Sequence, residues 1–593
     1  MDHFSSLISD MLSPRLRTLI SYLRPHWRPT AFGVFSLIIV NALAVYIPLL
    51  IRNALDELQT TFSMSRVIFY AALVLVLGTC MWVVRMSSRI SLFGVGRQVE
   101  FDLKQRIFNH LLTLEPGYFA VNTPGDLISR ATSDVDNIRR LLGFAVLSLV
   151  NMVFAYAFTL PAMLSISVPL TLAAIAIYPG ILVLVSLFSH RLRNEQLGVQ
   201  EETSGLSDLI QEDMSGMALI KIYAQEENER RAFRRMNQEL LEANLKLAKT
   251  QNTLFPLLRG LASISQLALL ALGTGAIANG SLKVGGFVAL LLFAQNLVFP
   301  TALLGFTITA YQRGEVSIDR LEAIFSNQPK IKDPPNALAL NRSEVKGWLR
   351  AEHLIYTHPG AESPALSDIN FSIEPGETVA IVGPIGAGKS TLANALTHLL
   401  EVQPGQLFLD GYDITQVRLK DLRGAIAYVP QESFLFSTTI KNNIRYGDPS
   451  SEQPEIELAA KQAQLHPEIL NFPQQYKTIV GERGITLSGG QRQRTALARA
   501  LLVDAPVLIL DDALSSVDNQ TATQILQNLS EGTQRKTVLF ISHQLSAAAA
   551  ADRILVIDQG RIVEMGTHAE LLSKSGLYLS LWEKHKLEQV QVS

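Results

Sequence analysis

Six charge-free or nearly charge-free apolar segments, all before about residue 313, constrain this 593-residue chain more than anything else in it: 30–51, 67–84, 142–163, 168–189, 260–282 and 284–312. Each approaches or exceeds the roughly 18–20 residues that a helix needs to cross about 30 Å of hydrocarbon. The bulk numbers agree. With 48% hydrophobic and only 18% charged residues and a mean hydropathy of +0.22, the chain is too apolar for an ordinary cytosolic protein of its length. The third and fourth segments run together without Asp, Glu, Lys or Arg between Arg140 and Arg191. Pro161, Pro169 and the small polar residues between them put the connection near Leu164–Ser167.

Flanking charge orients the six spans. Arg15, Arg17, Arg24 and Arg28 precede the first; Arg85, Arg89, Arg97, Lys104 and Arg106 follow the second; Arg191 and Arg193 follow the fourth; Arg313 follows the sixth. The opposite loops carry Arg52, Asp56, Glu57 and Arg66, then no charge, then Lys283. The positive-inside rule puts the N-terminus and everything after residue 313 in the cytoplasm of a multi-pass membrane protein. Two long internal excursions, about 86–141 and 190–254, read as helix. "TLEPGYFAVNTPGDLISR" (Thr113–Arg130) and "SGMALIKIYAQEE" (Ser215–Glu227) are the less helical patches near their middles. The charged stretch Asn228–Lys249 is expected to be a solvated helix rather than a nucleic-acid surface, and a net charge of −2 gives no other reason to expect nucleic acid. The single cysteine, Cys80, excludes an internal disulfide and is expected to pack as a small hydrophobe.

The expected organisation is an N-terminal amphipathic segment (1–29), a membrane domain (30–324), a Pro- and Asn-rich linker (325–347), an α/β domain (348–576) and a tail (577–593). "ETVAIVGPIGAGKSTLANAL" (Glu377–Leu396) contains G-x-x-x-x-G-K-S between a strand, Val379–Val382, and a helix from Thr391. Gly383, Gly386 and Gly388 let the backbone N–H groups turn inward on phosphate oxygens, and the helix N-terminus adds positive potential. Lys389 supplies a charge for the β- and γ-phosphates, Ser390 a hydroxyl for Mg²⁺, and Thr391 follows. "LILDDALSSVD" (Leu508–Asp518) ends an apolar strand in two acids; Asp511 is placed to serve the same Mg²⁺. In "TLSGGQRQRTALARALL" (Thr486–Leu502), a helix begun by Ser488, Gly489 and Gly490, with Gln491 next, offers N–H groups and a hydroxyl as a second anion site. One domain has no evident use for two γ-phosphate sites, so two chains are expected to meet head to tail, each completing the other's site.

With these motifs in place, the chain resembles a half-size ABC transporter of the exporter type over residues 10–580: a six-helix membrane domain fused to an α/β P-loop ABC domain. The resemblance implies ATP and Mg²⁺ as ligands, Gly383–Thr391 as Walker A, Gln431 in "YVPQESFLF" as the Q-loop residue serving metal and catalysis, and Leu487–Gln491 as the signature. It further implies Asp511 as the Walker B aspartate, Ser515–Asp518 as the D-loop, His543 in "FISHQLS" as the switch histidine, Thr478–Gly484 as a segment meeting the internal helices, and the two broken patches as coupling helices.

Two positions depart from the family pattern. His358 in "IYTHPG" stands where an aromatic ring, commonly Tyr, stacks on adenine; imidazole stacks over less area, and Tyr356 matches an inward strand position. Asp512 stands where the family usually has the glutamate that orients the attacking water and takes its proton. Losing one methylene withdraws that carboxylate by about 1.3–1.5 Å, enough for slow hydrolysis at this chain's own site, while Mg-ATP binding survives. Bacterial heterodimeric exporters resemble this arrangement, so the resemblance implies the plasma (bacterial inner) membrane and an obligate dimer through the ABC domains, with a heterodimer with a Glu-bearing half-transporter favoured over a homodimer. The weighed alternative in function is a non-transporting, ATP-gated regulator or channel on the same scaffold. Substrate is the least constrained reading: the spans carry no acid or base, and away from their ends Asn41, Asn151, Gln266, Gln295 and Asn296 supply the strong polarity, expected to be spent on interhelical hydrogen bonds. That absence favours an amphipathic drug or lipid over an ion.

Overall fold

In the computed structural model, which describes residues 14–60, 62–481, 484, 486–517, 519–530 and 535–592, the chain forms two compact units. The first is Met1–Leu112 with Asn122–Asn327; the second is Thr113–Val121 with Gln328–Ser593.

Among the described residues of the first unit, six long helices are apolar enough to cross a membrane: Arg17–Thr60, Met64–Leu111, Pro124–Ile166, Val168–Ile222, Glu226–Ala278 and Val284–Ser326. Every expected span has its helix. The third and fourth separate at Ser167, which is extended (φ −163°, ψ 118°), and Pro169 takes the first turn of the next helix, where its missing N–H costs nothing. The segment drawn to residue 282 stops at Ala278 instead, because Gly280 adopts φ +69° and turns the chain. The two internal excursions are helical almost throughout. The first breaks into short helices at Pro116–Val121 and Pro124–Ser129, whereas the second breaks only between Ile222 and Glu226.

Small residues set the helix contacts, as expected where apolar surface alone gives no drive to associate. A Cβ on Gly33 would lie 2.6 Å from Leu92 Cγ, and one on Gly314 would lie 2.6 Å from Leu141 Cδ2. Ser88 Oγ donates to Gly33 O (2.9 Å). Asn41 Nδ2 donates to Leu37 O (2.8 Å) and Asn151 Oδ1 (3.1 Å), and Asn296 Nδ2 reaches Ala44 O (3.4 Å). Near the end of the sixth helix, buried Asp134 accepts from Ser317 Oγ (2.8 Å) and pairs with Arg320 (3.0 Å).

The second unit carries two sheets. Strands β1 (Leu349–Tyr356), β2 (Leu366–Ile373), β4 (Leu407–Leu409) and β5 (Tyr412–Asp413) form an antiparallel sheet in the order β2-β1-β4-β5. The main sheet runs β10-β9-β3-β8-β7-β6, with β3 (Thr378–Val382), β6 (Ile426–Val429), β7 (Val507–Asp511), β8 (Thr537–Ile541) and β9 (Arg553–Asp558) parallel and β10 (Arg561–Gly566) antiparallel at its edge. β3, β7 and β8 are buried at every residue, so they read as unbroken apolar runs rather than alternating ones.

Specific hydrogen bonds hold both the linker and the tail, which is the further helix expected after Gly576. The segment drawn as a linker is laced down: Leu338 N donates to Gln416 O (2.8 Å), Arg418 N to Leu338 O (2.9 Å), and the Asp410 carboxylate accepts from Lys346, Gly347 and Trp348 N. The tail helix, Leu577–Val592, carries at its second position a fully buried Tyr578 whose Oη lies 2.7 Å from His568 Nδ1. Its first residue, Leu577, donates its N–H to Glu564.

Candidate functional site

Four parallel strands deliver the candidate residues to one edge. β3 ends at Val382 and runs into the glycine loop; β6 ends at Val429, two residues before Gln431; β7 ends in Asp511; β8 ends at Ile541, two before His543. C-terminal edges of such sheets are where ligands bind. One cavity of about 320 Å³ there is lined by His358, Gly386, Gly388, Lys389, Ser390, Thr391, Gln431, Asp511, Asp512 and His543 together.

The loop's shape needs its glycines. Gly383 has φ +152°, Gly386 +79° and Gly388 +100°, and a side chain on Gly383 would collide with Ile557 O. A Cβ on Gly388 would sit 2.6 Å from Ala365 O. Gly388 caps the helix Lys389–Leu396, so the helix N-terminus faces the cavity. Lys389 Nζ donates to Gly383 O (2.8 Å) and Pro384 O (2.7 Å). Burial lowers its pKa, against the opposing pull of Asp512 and Asp511.

Ser390 Oγ donates to Asp511 Oδ1 (3.0 Å), and Tyr428 Oη donates to Asp511 Oδ2 (3.3 Å). Burial raises the Asp511 pKa above the ordinary 3.8; the two hydroxyls and Lys389 oppose that, and Asp512 adds to it. Tyr428 is pushed well above the usual phenol value, chiefly by burial and then by Asp511. Sequence reading did not single out Tyr428; its strand position beside β7 was the available signal.

Asp512 is buried and holds φ +48°, a left-handed conformation that Asp enters more easily than longer side chains. Its N–H donates to Ile541 O (3.0 Å), and its carbonyl accepts from Ser515 Oγ (2.9 Å). Gln493, also missed, ties this turn to the helix Gly489–Val503: its Nε2 donates to Ser515 Oγ (2.9 Å) and Asp512 O (3.3 Å), and its Oε1 accepts from Ser516 N (2.9 Å). Periodicity along that helix places Gln493 on the buried side. His358 is exposed; its Nε2 lies 3.4 Å from Thr391 Oγ1 and its ring 5.0 Å edge-on from Tyr356, which is partly buried against the antiparallel-sheet core. His543 and Gln431 are exposed at the cavity rim.

Ser488, Gly489, Gly490 and Gln491 do not line this cavity. The Ser488 hydroxyl is not free, as the sequence suggested: its oxygen accepts from Gln491 N (3.2 Å) while Gln491 Oε1 accepts from Ser488 N (2.9 Å), a reciprocal capping box. Gln491 Nε2 donates to Glu468 Oε2 (3.0 Å), so both amide ends are engaged. The N–H groups of Gly489 and Gly490, as first-turn donors, have no intrahelical acceptor. A Cβ on Gly490 would meet Ser516 O at 2.8 Å. Asp518, Glu482 and Arg483 lie outside the described residues.

Comparison with known proteins follows the same division of the chain. The family profile described as "ABC transporter transmembrane region" matches residues 30–301, and "ABC transporter" matches 366–515. A probable multidrug resistance ABC transporter ATP-binding/permease protein of Bacillus subtilis is 33% identical over 574 residues, 96% of this chain and 98% of that protein. The multidrug resistance-like ATP-binding protein MdlA of Escherichia coli is 32% identical, covering 96% of each. An ATP-dependent lipid A-core flippase of Thiobacillus denitrificans is 33% identical over 95% of this chain and 97% of its own length. A solved bacterial Atm1-family ABC exporter with ATP bound superposes with a TM-score of 0.75 at 26% identity, over 94% of this chain and 99% of that one.

Proposed function

Because the chain belongs to the ABC transporter family, as a half-size exporter with its ATPase domain C-terminal, we propose that it moves an amphipathic drug-like compound or lipid out of the cytoplasm or inner leaflet as one subunit of a heterodimer whose partner carries the stronger catalytic base. The observation that carries this reading is the convergence of Lys389, Ser390, Asp511, Asp512, Gln431 and His543 on one cavity at the C-terminal edge of the parallel sheet.

Each residue then has a part. The loop N–H groups and the N-terminus of Lys389–Leu396 hold the phosphates, and the Lys389 ammonium turns from the Gly383 and Pro384 carbonyls to the β- and γ-phosphate oxygens. Ser390 Oγ, Asp511 Oδ1 and the Gln431 amide oxygen make a hard-oxygen donor set that would hold Mg²⁺, which would supply positive charge to offset that of the phosphates. His358 stacks on the base. Asp512 orients the attacking water and accepts its proton from a carboxylate set back by about 1.3–1.5 Å, and His543 contacts the γ-phosphate. Ser488, Gly489 and Gly490 serve the partner's nucleotide, so this chain completes a fast site while its own turns over slowly. ATP held between the two ATPase domains closes the dimer, the internal helices carry that motion to the spans, and hydrolysis reopens it. The basic residues flanking the spans support a cytoplasmic N-terminus and ATPase domain.

The test is ATP-dependent uptake of an amphipathic dye into inside-out vesicles containing this chain and a candidate partner, compared with Lys389→Ala. Uptake that needs ATP and Lys389 supports the exporter; nucleotide binding without uptake, with any partner, would turn the reading to a regulator.

A further inference from the structure

Of the strongly polar side chains away from the ends of the spans, Asn41, Asn151 and Asn296 are spent on hydrogen bonds between helices. Gln266 and Gln295 are not: among the described residues neither amide has a hydrogen-bond partner, and both line one groove of about 540 Å³ between the fifth and sixth helices. The groove's other walls are Ser263, Leu267, Leu270, Val288, Leu291 and Leu292. Its direction follows from the faces it leaves. On the fifth helix Ser265 and Leu269 are buried, and Ser265 Oγ donates to Ala174 O (2.9 Å). On the sixth, Phe293, Ala294 and Leu297 are buried, with Tyr178 Oη donating to Ala294 O (2.6 Å). The glutamines point away from that packing.

Both lie well inside charge-free runs, Gln266 about two turns from Arg259 and Gln295 more than three turns from Lys283. An amide without partners in hydrocarbon costs several kcal/mol, so two on neighbouring helices at one level do not face lipid. We propose that Gln266 and Gln295 form the polar clamp of the substrate path, and that its ligand is a neutral amphiphile whose amide or carbonyl groups exchange hydrogen bonds with the two glutamines while its apolar part lies on the leucines. No charged side chain lines the groove, so the recognised portion is uncharged. The substrate assignment rests on the exporter reading above; the exposure of the two glutamines to water does not.

The experiment uses the full chain in its complex in inside-out vesicles. Cys80, the only cysteine, is replaced by Ser, and Gln266→Cys and Gln295→Cys are tested singly for reaction with a membrane-impermeant maleimide. Both are expected to react, and to be protected by an amphipathic tertiary amide but not by its hydrocarbon analogue of equal length. In parallel, Gln266→Leu and Gln295→Leu should each raise the concentration of the amide needed for half-maximal ATPase stimulation by about 10-fold, the worth of one hydrogen bond, and leave that for the hydrocarbon unchanged. No labelling overturns the proposal in favour of lipid or the partner chain as the covering surface. Equal shifts for both probes overturn the hydrogen-bonding clamp. Labelling and protection without dye uptake would leave the site standing and remove the exporter reading.

Discussion

Asp512→Glu tests the chemistry at its most specific point. Restoring the methylene advances the carboxylate by about 1.3–1.5 Å toward the attacking water. A misplacement of about 1 Å is worth on the order of 100-fold in rate, or about 2.7 kcal/mol of barrier. The structure adds an opposing effect, since position 512 holds φ +48°, where a residue other than Gly, Asn or Asp pays roughly 1–2 kcal/mol. That strain is present in ground and transition states alike, so it lowers the folding stability of the variant without raising its barrier. The expectation is a faster own site, by up to about 100-fold, with a slightly lower Tm. In a heterodimer the partner's site masks this gain, because equalising two sites can raise total turnover only about two-fold. Phosphate release should therefore be measured with the partner's catalytic glutamate neutralised, alongside binding of a fluorescent ATP analogue. Unchanged or slower release with intact binding would refute the geometric account of Asp512.

Asp511→Asn should raise the nucleotide-free Tm at pH 7 while abolishing hydrolysis. Burial holds the Asp511 pKa above 3.8, so the fold binds that proton more tightly than the unfolded chain does. Its stabilising contribution is present below pH 3.8 and is lost as pH rises through the folded value; the difference between variant and parent should shrink on acidification, and a lower Tm for Asn at pH 7 would contradict it. Tyr578→Ala, which empties a fully buried site and breaks the bond to His568, should cost about 3–5 kcal/mol by denaturant titration of the ATPase unit's transition; a loss under 1 kcal/mol would mean the tail helix is dispensable. Asp134→Ala strips Ser317 and Arg320 of a buried acceptor and should lower the membrane unit's melting midpoint by the equivalent of about 1–3 kcal/mol, with Asp134→Asn partly restoring it. Equal losses for both variants would show that charge, not the hydrogen bond, is what matters there.

The architecture was legible because its signals are periodic or local. Six apolar runs are long enough to name their own fate, and Gly383 to Ser390 encodes a loop whose backbone only glycine can follow. Even the break between the third and fourth spans was readable, since Pro169 and the small residues before it leave few places for a turn. What escaped was pairing at a distance. Asp410 gathering three N–H groups from Lys346–Trp348 turns an apparently loose linker into fixed structure, and nothing local to "SEVKG" announces it. Tyr578 reads as part of a tail until its hydroxyl meets His568. Ser488 could in sequence either cap its helix or offer its hydroxyl to an anion, and only the reciprocal bonds with Gln491 show it as one half of a cap. Gln266 and Gln295 could be noticed as polar, but only their shared groove separates them from the asparagines that bind helices together.

The Lys389 ammonium resting on the Gly383 and Pro384 carbonyls has a thermodynamic consequence. A glycine-rich loop has much conformational freedom to lose, and here that loss is taken when the domain folds, with the side chain of its own cation as the template. Nucleotide then meets a loop already in its holding shape and has only to exchange two carbonyl contacts for phosphate ones, so affinity is not drained by ordering the loop. By the same logic, removing the lysine does two things at once: it deletes a charge from the phosphate site and loosens the loop before any phosphate arrives.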